Sequence, residues 1–508
     1  MAARKGRHDH GAKPYNVSSL KMPPPAISIP SDTEEGALPT IITPSPRTPQ
    51  SPTGGSGRRI NRQQHRICMV SDFFFPNMGG VEMHIWCLSQ CLIQRGHKVI
   101  VVTHAYGNRQ GIRYMSNGLK VYYLPLSVIY DQVICPTLCS FLPLFRNILT
   151  RERISIVHGH QSTSSLSNEC IMYARTMGYH VCYTDHSLFG FADAVSIHVN
   201  KILQITLSDI DHAICVSNIC RENLCLRASL HPSLVSTIPN AVDATKFTPD
   251  PSKRYPLNTI NIVLLSRLVY RKGIDLLAKV IPLLCSKVTN IHFIIGGDGP
   301  KKLLLEEMRE RYQLHDKVEL LGAISHSAVR DVLVRGHIFL NCSLTESFCI
   351  ALLEAASCGL FVVSTNVGGV PEVLPSSMIK FAEPSVVDLV DALLDAISIC
   401  RRIVPTELHG KMKDMYTWID VAKRTEVVYN NIANSKKPTL AQRLLKYRTV
   451  GTWAGVAASC IVMGLHILWC ICELIWPVQD IEICYDFPWM KKAKNSKKRY
   501  DIPRGPHE

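Results

Sequence analysis

Charge is scarce in this 508-residue chain: Asp, Glu, Lys and Arg make up 19%, against 46% hydrophobic residues. That balance excludes a mainly disordered protein, and 29 Gly and 30 Pro are too few and too scattered for collagen. No two C-x-x-C sequences stand at zinc-knuckle spacing. The nineteen cysteines are odd in number, and many sit inside apolar runs, such as Cys68, Cys182 and Cys215. They read as small hydrophobes held reduced. No G-x-G-x-x-G follows a strand, which disfavours a nicotinamide site. The N-terminal MAARKGRHDHGAKPYNV lacks an apolar segment, so no cleaved signal peptide is expected.

The net charge is +15, but it is unevenly spread. Residues 1–66 carry +6, residues 435–450 carry +5 and residues 473–508 carry +1, which leaves only +3 for the rest. A near-neutral body with basic appendages argues against a nucleic-acid groove and for contact with an anionic membrane surface.

Residues 1–65 form a low-complexity tail in which Thr43, Ser45, Thr48 and Ser51 each precede a proline. This pattern suits proline-directed phosphorylation, and equally a solvated tail with no role. Order begins near Arg66. ICMVSD, a glycine loop, the helical VEMHIWCLSQCLIQRG and the buried HKVIVVT make a βαβ unit over residues 67–103. Strand patterns recur at 121–126, 154–160, 179–187, 212–217 and 235–240. A second series begins at residue 260 and continues at 291–300, 318–322, 337–343 and 361–366. The expected fold is α/β, with two doubly wound Rossmann-like domains at 66–245 and 246–434 facing a cleft.

One long uncharged run, residues 451–472, follows a basic linker at 435–450. At about 1.5 Å per residue it reaches roughly 33 Å, enough to cross a bilayer core. Five Lys/Arg precede it, and residues 473–487 hold four acids and no Lys/Arg. The positive-inside rule then keeps the large body cytosolic and sends 473–508 to the far side. The linker cations are expected to pair with anionic lipids.

Three motifs carry candidate chemistry. Gly79 and Gly80 of PNMGGVE lie between a strand and a helix, where backbone N–H groups attract phosphate. Arg267, Arg271 and Lys272 of SRLVYRKG follow a strand and could stabilise a departing diphosphate. Glu346 and Glu354 stand eight residues apart across a loop and a helix, about 80° apart around its axis, so both can face one cleft. Glu354 sits among Ala and Leu, and a buried carboxylate there needs partners such as ribose hydroxyls. Asp298 of GGDGP reads as a turn residue or a ligand contact.

Taken in order, PNMGGVE, SRL…RKG, IIGGDGP and E-x₇-E resemble the retaining, nucleotide-sugar-dependent glycosyltransferases of the GT-B fold over residues 66–430. MVSDFFFPNMGGVE, THAYGNRQGIRY, TDHSLFGFAD and ERYQLHDKVELLGA are similar to the phosphatidylinositol N-acetylglucosaminyltransferase catalytic subunits within that group. The resemblance implies transfer of N-acetylglucosamine from UDP-N-acetylglucosamine to phosphatidylinositol with retention, the first step of glycosylphosphatidylinositol (GPI) anchor synthesis. It implies further membrane subunits and the endoplasmic reticulum membrane. It gives Gly79, Gly80, Arg267, Lys272 and Gly297 to the donor diphosphate and sugar, Glu354 to the ribose, and Glu346 and His186 to the reacting sugar. No D-x-D occurs in the donor loops, so the cations are expected to serve in place of a metal, and no further cofactor is expected. The rival readings are a glycosyltransferase with another acceptor, a nucleotide-sugar-binding scaffold and a dinucleotide-dependent oxidoreductase. Intact Glu346, Glu354, Arg267 and Lys272 argue against the scaffold.

Overall fold

The computed structural model describes residues 63–254 and 259–486. The Ser/Pro cluster and the late KKAKNSKKR lie outside the described residues.

The N-terminal domain contributes β1 (Arg66–Val70), β2 (Lys98–His104), β3 (Gly111–Tyr114), β4 (Lys120–Leu124), β5 (Val128–Tyr130), β6 (Val133–Ile134), β7 (Ile156–His160), β8 (His180–Asp185), β9 (His212–Cys215) and β10 (Val235–Thr237). Eight of these form a sheet in the order β10-β9-β8-β7-β1-β2-β4-β3, parallel except for edge strand β3, while β5 and β6 make a separate hairpin. The C-terminal domain contributes β11 (Ile260–Leu265), β12 (Ile291–Gly296), β13 (Val318–Gly322), β14 (Ile338–Asn341), β15 (Phe361–Thr365) and β16 (Ile379–Ala382), in the parallel order β13-β12-β11-β14-β15-β16. The central parallel strands are buried end to end, as sheets covered by helices on both faces must be.

Strand order reverses beside β1 in the first sheet and beside β11 in the second. These are the switch points where doubly wound sheets open a crevice at the strand C-termini. PNMGGVE follows β1 and SRLVYRKG follows β11, so both candidate loops leave their sheets at those points. Strands β3, β5, β6 and β16 had no counterpart in the sequence reading. All four are only two to four residues long, and the first two are exposed throughout, so none shows the buried apolar run of a central strand.

The chain returns to the N-terminal domain after its second sheet. In the helix Trp418–Ala433, Val421, Ala422, Tyr429 and Ile432 join the core formed by β1, β2 and the helix Gly80–Gln94. Tyr429 OH lies 2.7 Å from His158 Nδ1, and Glu426 pairs with Arg95.

The basic linker is partly engaged by the protein itself. Residues 440–448 form a helix opened by a Thr439–Gln442 capping box. Arg443 is buried and donates to Asp209 at 2.7 Å, and Lys446 reaches the same carboxylate at 3.2 Å. Two of the five cations are therefore engaged by the protein itself, while Lys436, Lys437 and Arg448 stay exposed. A buried Asp209 needs that compensation.

The apolar segment is a 24-residue helix, Thr452–Ile475, long enough to cross a membrane. Its Gly455, Ala458, Val462 and Leu465 are buried against the protein and Leu468 and Cys472 pack beside them, while Trp453, Ile461, Ile467, Ile471 and Leu474 point outward. The segment after it folds back. Glu473 pairs with Arg146 at 2.9 Å, and Asp486 pairs with Arg66 at 2.7 Å and Lys98 at 2.9 Å. Residues 476–486 thus lie on the N-terminal domain, at variance with the expected placement of 473–508 beyond the far side of a bilayer. Cations around β1 attract the acidic tail, and a spanning arrangement requires these pairs to release. All nineteen cysteines carry free thiols, in keeping with the reduced reading.

Candidate active site

The C-terminal domain brings its charges to one point. Gly273 ends the SRLVYRKG turn at φ +69°, where a Cβ would lie 1.8 Å from the Cys342 carbonyl oxygen. Only glycine lets this turn press against the end of β14. That approach sets Lys272 against Glu346 in a direct ion pair. Burial alone would lower the Lys272 ammonium, but the Glu346 carboxylate outweighs it and holds the pKa above its ordinary value. The Ser343 hydroxyl lies 2.8 Å from Glu346 Oε1 and 2.7 Å from Asn341 Oδ1, and Asn341 donates to Ser364 Oγ at 2.9 Å. A buried polar chain running back into β14 and β15 therefore fixes Glu346.

Glu354 lies in the helix Ile350–Ser357. Its carboxylate has no hydrogen-bond partner among the described residues, and burial raises its pKa to about 7. A half-buried carboxylate without a partner is a site awaiting one.

Gly297 and Asp298 have structural explanations. At φ +140°, a Cβ on Gly297 would lie 1.8 Å from the Ser266 carbonyl oxygen. Asp298 accepts from the Gly299 N–H at 2.8 Å, and its carbonyl accepts from the Leu268 N–H at 2.8 Å. This loop locks the SRL turn in place, and the turn reading of Asp298 holds.

Across the cleft, Gly79 and Gly80 are exposed at the start of the helix Gly80–Gln94. A Cβ on Gly80 would meet nothing within 4 Å, whereas one on Gly79 would lie 2.5 Å from Glu82 Oε2. Glu82 is a residue that sequence reasoning passed over. Burial raises its carboxyl, the positive charge of Arg267 from the other domain lowers it, and Asp131 raises it again. The interaction puts Arg267 within electrostatic reach of the glycine loop.

His186 sits in a second group the sequence did not disclose. His84, His160 and His186 bring ring nitrogens within 4.8 Å of one another. His84 Nδ1 donates to Asn240 Oδ1 at 2.7 Å, His160 Nδ1 lies 3.3 Å from His186 Nε2, and His158 bridges Tyr429 and Thr184. Burial pushes His84 down to about 4 and His158 to about 3, and burial and neighbouring imidazoles push His160 and His186 well below the ordinary range. These are neutral hydrogen-bonding groups at physiological pH, and three such nitrogens could also hold a metal ion. The family resemblance had singled out His186 of TDHS, and the sequence signals for the other two were H-G-H at the end of β7 and the E-x-H of the glycine-loop helix.

Direct bonds hold the two sides together. Ser347 donates its hydroxyl to the His186 carbonyl, and Ser217 donates to the Ser347 carbonyl at 2.6 Å. Glu372 accepts from the Asn218 and Ile219 N–H groups at 2.7 and 2.9 Å, so one domain's carboxylate caps the other's helix. Glu346, next to Ser347, is thereby held close to the His186 loop.

Comparison with known proteins fits this geometry. A family described as PIGA (GPI anchor biosynthesis) matches residues 104–193, and glycosyl transferases group 1 match residues 250–399. A phosphatidylinositol N-acetylglucosaminyltransferase subunit of Arabidopsis thaliana is 57% identical over 418 residues, which is 82% of this chain and 93% of that protein. Its Homo sapiens counterpart is 58% identical over 382 residues, 75% of this chain and 78% of its own length. The chain belongs to this glycosyltransferase family. Among solved structures, sucrose-phosphate synthase from Thermosynechococcus elongatus aligns with a TM-score of 0.63 at 18% identity, covering 73% of this chain and 99% of that one. Anabaena HepE in complex with UDP and glucose aligns at 0.57 and 14%, covering 72% and 100%. Those likenesses establish the GT-B fold, and family membership makes the chain a glycosyltransferase.

Proposed function

We propose that the chain transfers N-acetylglucosamine from UDP-N-acetylglucosamine to the inositol 6-hydroxyl of phosphatidylinositol, with retention, as the first step of GPI anchor synthesis. The observation that carries the reading is the Lys272–Glu346 pair, set at a switch-point cleft whose other wall is a glycine loop within reach of Arg267. The names of the Arabidopsis and human relatives support the donor sugar and the acceptor.

Arg267 and Lys272 hold the diphosphate and stabilise its charge as the anomeric C–O bond breaks. The inositol oxygen attacks the same face, and its proton passes to the departing diphosphate oxygen. Glu354 takes the ribose hydroxyls, which supply the partner it lacks. Glu346, positioned by Ser343, and neutral His186 contact the sugar. Gly79 and Gly80 give the donor close access to backbone, and Gly297 shapes the loop beneath it. Arg267 and Lys272 supply the counter-charge without a metal ion. The enzyme resides in the endoplasmic reticulum membrane with its catalytic body cytosolic, alongside other membrane subunits. The C-terminal tail reaches the lumen only after Asp486 leaves Arg66 and Lys98.

The test is incubation of membranes containing the full chain with labelled UDP-N-acetylglucosamine and phosphatidylinositol. A labelled glycolipid, absent in Lys272→Ala, supports the reaction, and donor binding without any product means a scaffold. Protease added to sealed microsomes should destroy the body, and an epitope after Pro477 reports the side of the tail.

A further inference from the structure

The hairpin β5–β6 has no place in either Rossmann-like sheet. It follows β4, whose C-terminal end lies on the same edge of the sheet as the glycine loop. Direct bonds hold it there. The Thr137 N–H donates to Glu169 Oε1 at 2.8 Å and the Cys139 N–H to the Tyr173 hydroxyl at 3.2 Å, both on the helix Ser165–Thr176. The Ser164 hydroxyl that caps this helix accepts from the Asp72 N–H at 3.0 Å, just after β1. The hairpin is thus anchored at the mouth of the transfer cleft.

Its outer side is apolar. Ile129 is 65% exposed, Tyr130 78% and the following Leu138 83%, and Val128 is also exposed. An outward row of this kind on a two-stranded element is a surface for something apolar. Ile134, inside the hairpin, shares one buried layer with Leu142 and Phe145 and with Leu465 of the helix Thr452–Ile475. The cleft mouth and the outward-facing apolar helix therefore flank the same apolar layer of the N-terminal domain. The PIGA match, residues 104–193, contains the hairpin, whereas the general glycosyltransferase match begins at residue 250.

We infer that the hairpin 128–134 with Leu138 is a lip that dips into the acyl region of a phospholipid bilayer and admits the lipid acceptor to the cleft. The inference rests on the proposed acceptor. A headgroup hydroxyl can reach the glycine loop only if its acyl chains lie against the adjoining surface, and this lip is an exposed apolar surface at the same end of the sheet as that loop.

The test uses the full chain with its complex, reconstituted in phosphatidylcholine vesicles containing phosphatidylinositol. Ile129→Asp combined with Tyr130→Asp should lower transfer to vesicle lipid at least about tenfold, since two charges would enter hydrocarbon. The same variant should keep UDP-N-acetylglucosamine binding and transfer to water-soluble glycerophosphoinositol. Equal rates on vesicle lipid would overturn the lip. A photoreactive benzoylphenylalanine at position 129 gives a readout independent of activity. A phospholipid adduct supports the inference, whereas adducts with neighbouring proteins only would make this face a protein interface and overturn it. If wild-type enzyme makes no glycolipid, the proposed reaction fails, and the cross-link still decides the lip.

Discussion

The two walls of the cleft are built from opposite kinds of chemistry. The C-terminal wall is ionic, with Lys272 against Glu346 and Glu354 without a partner beside them. The N-terminal wall presents Gly79, Gly80, the Glu82 carboxylate beside them and half-buried His186, with His84, His158 and His160 buried behind it and all four imidazoles held uncharged by burial. An ionic wall suits a diphosphate, whose charge grows in the transition state. A neutral imidazole suits hydroxyl groups, which need hydrogen bonds but would gain nothing from a buried net charge.

Substitutions should separate the two walls, most strongly on the ionic side. Lys272→Ala removes a diphosphate cation and leaves Glu346 unpaired, so glycolipid formation should fall by about 10²–10³-fold in a radiolabel assay. Arg267→Ala should fall on the same scale. A loss under tenfold in both would mean that the diphosphate is held elsewhere.

Glu354→Gln should be smaller and two-sided. Losing a charge-assisted hydrogen bond should weaken donor binding by about 1.5–3 kcal/mol in a titration. Without donor, the variant should be the more stable protein near pH 7.5. The Glu354 carboxyl titrates near 7 when folded and lower when unfolded, so between those values the folded state binds more protons and stability falls as pH rises. Melting curves at pH 5 and pH 7.5 should show wild type losing stability over that range and the variant losing less. Identical curves would mean that the carboxyl is already partnered.

The imidazoles of the N-terminal wall should be indifferent to pH, whereas burial raises the Asp72 carboxyl behind the glycine loop to about 7. The imidazoles stay neutral from pH 6 to 8, so an acid limb of the donor KM in that range should shrink in Glu354→Gln and persist unchanged in His186→Gln. The smallest expected effect is that of a chelator, which should leave turnover within about twofold because the cations supply the counter-charge. Strong inhibition reversed by one divalent metal would move attention to the His84–His160–His186 group.

Legibility followed the same divide. The ionic wall could be read from sequence because each of its two motifs, SRLVYRKG and E-x₇-E, is local and has fixed spacing, although the Lys272–Glu346 pair itself spans 74 residues. The imidazole group could not, because His84, His160 and His186 come from three elements that only the sheet brings together. The interdomain caps, Glu372 on Asn218 and Ser217 on Ser347, are separated by well over a hundred residues and have no local pattern.

Hydrophobic periodicity by itself determined the two α/β units, the glycine and cation loops at their strand ends and the apolar C-terminal helix, because burial acts on every residue of a strand or helix. Tertiary structure alone decided that the last helix of the body returns to the first domain, that Arg443 and Lys446 serve Asp209 and that the acidic tail pairs with Arg66 and Lys98. It also decided that the hairpin 128–134 stands at the cleft mouth. Each of these depends on desolvated charge or apolar surface finding a partner far along the chain, and no local pattern records where that partner is.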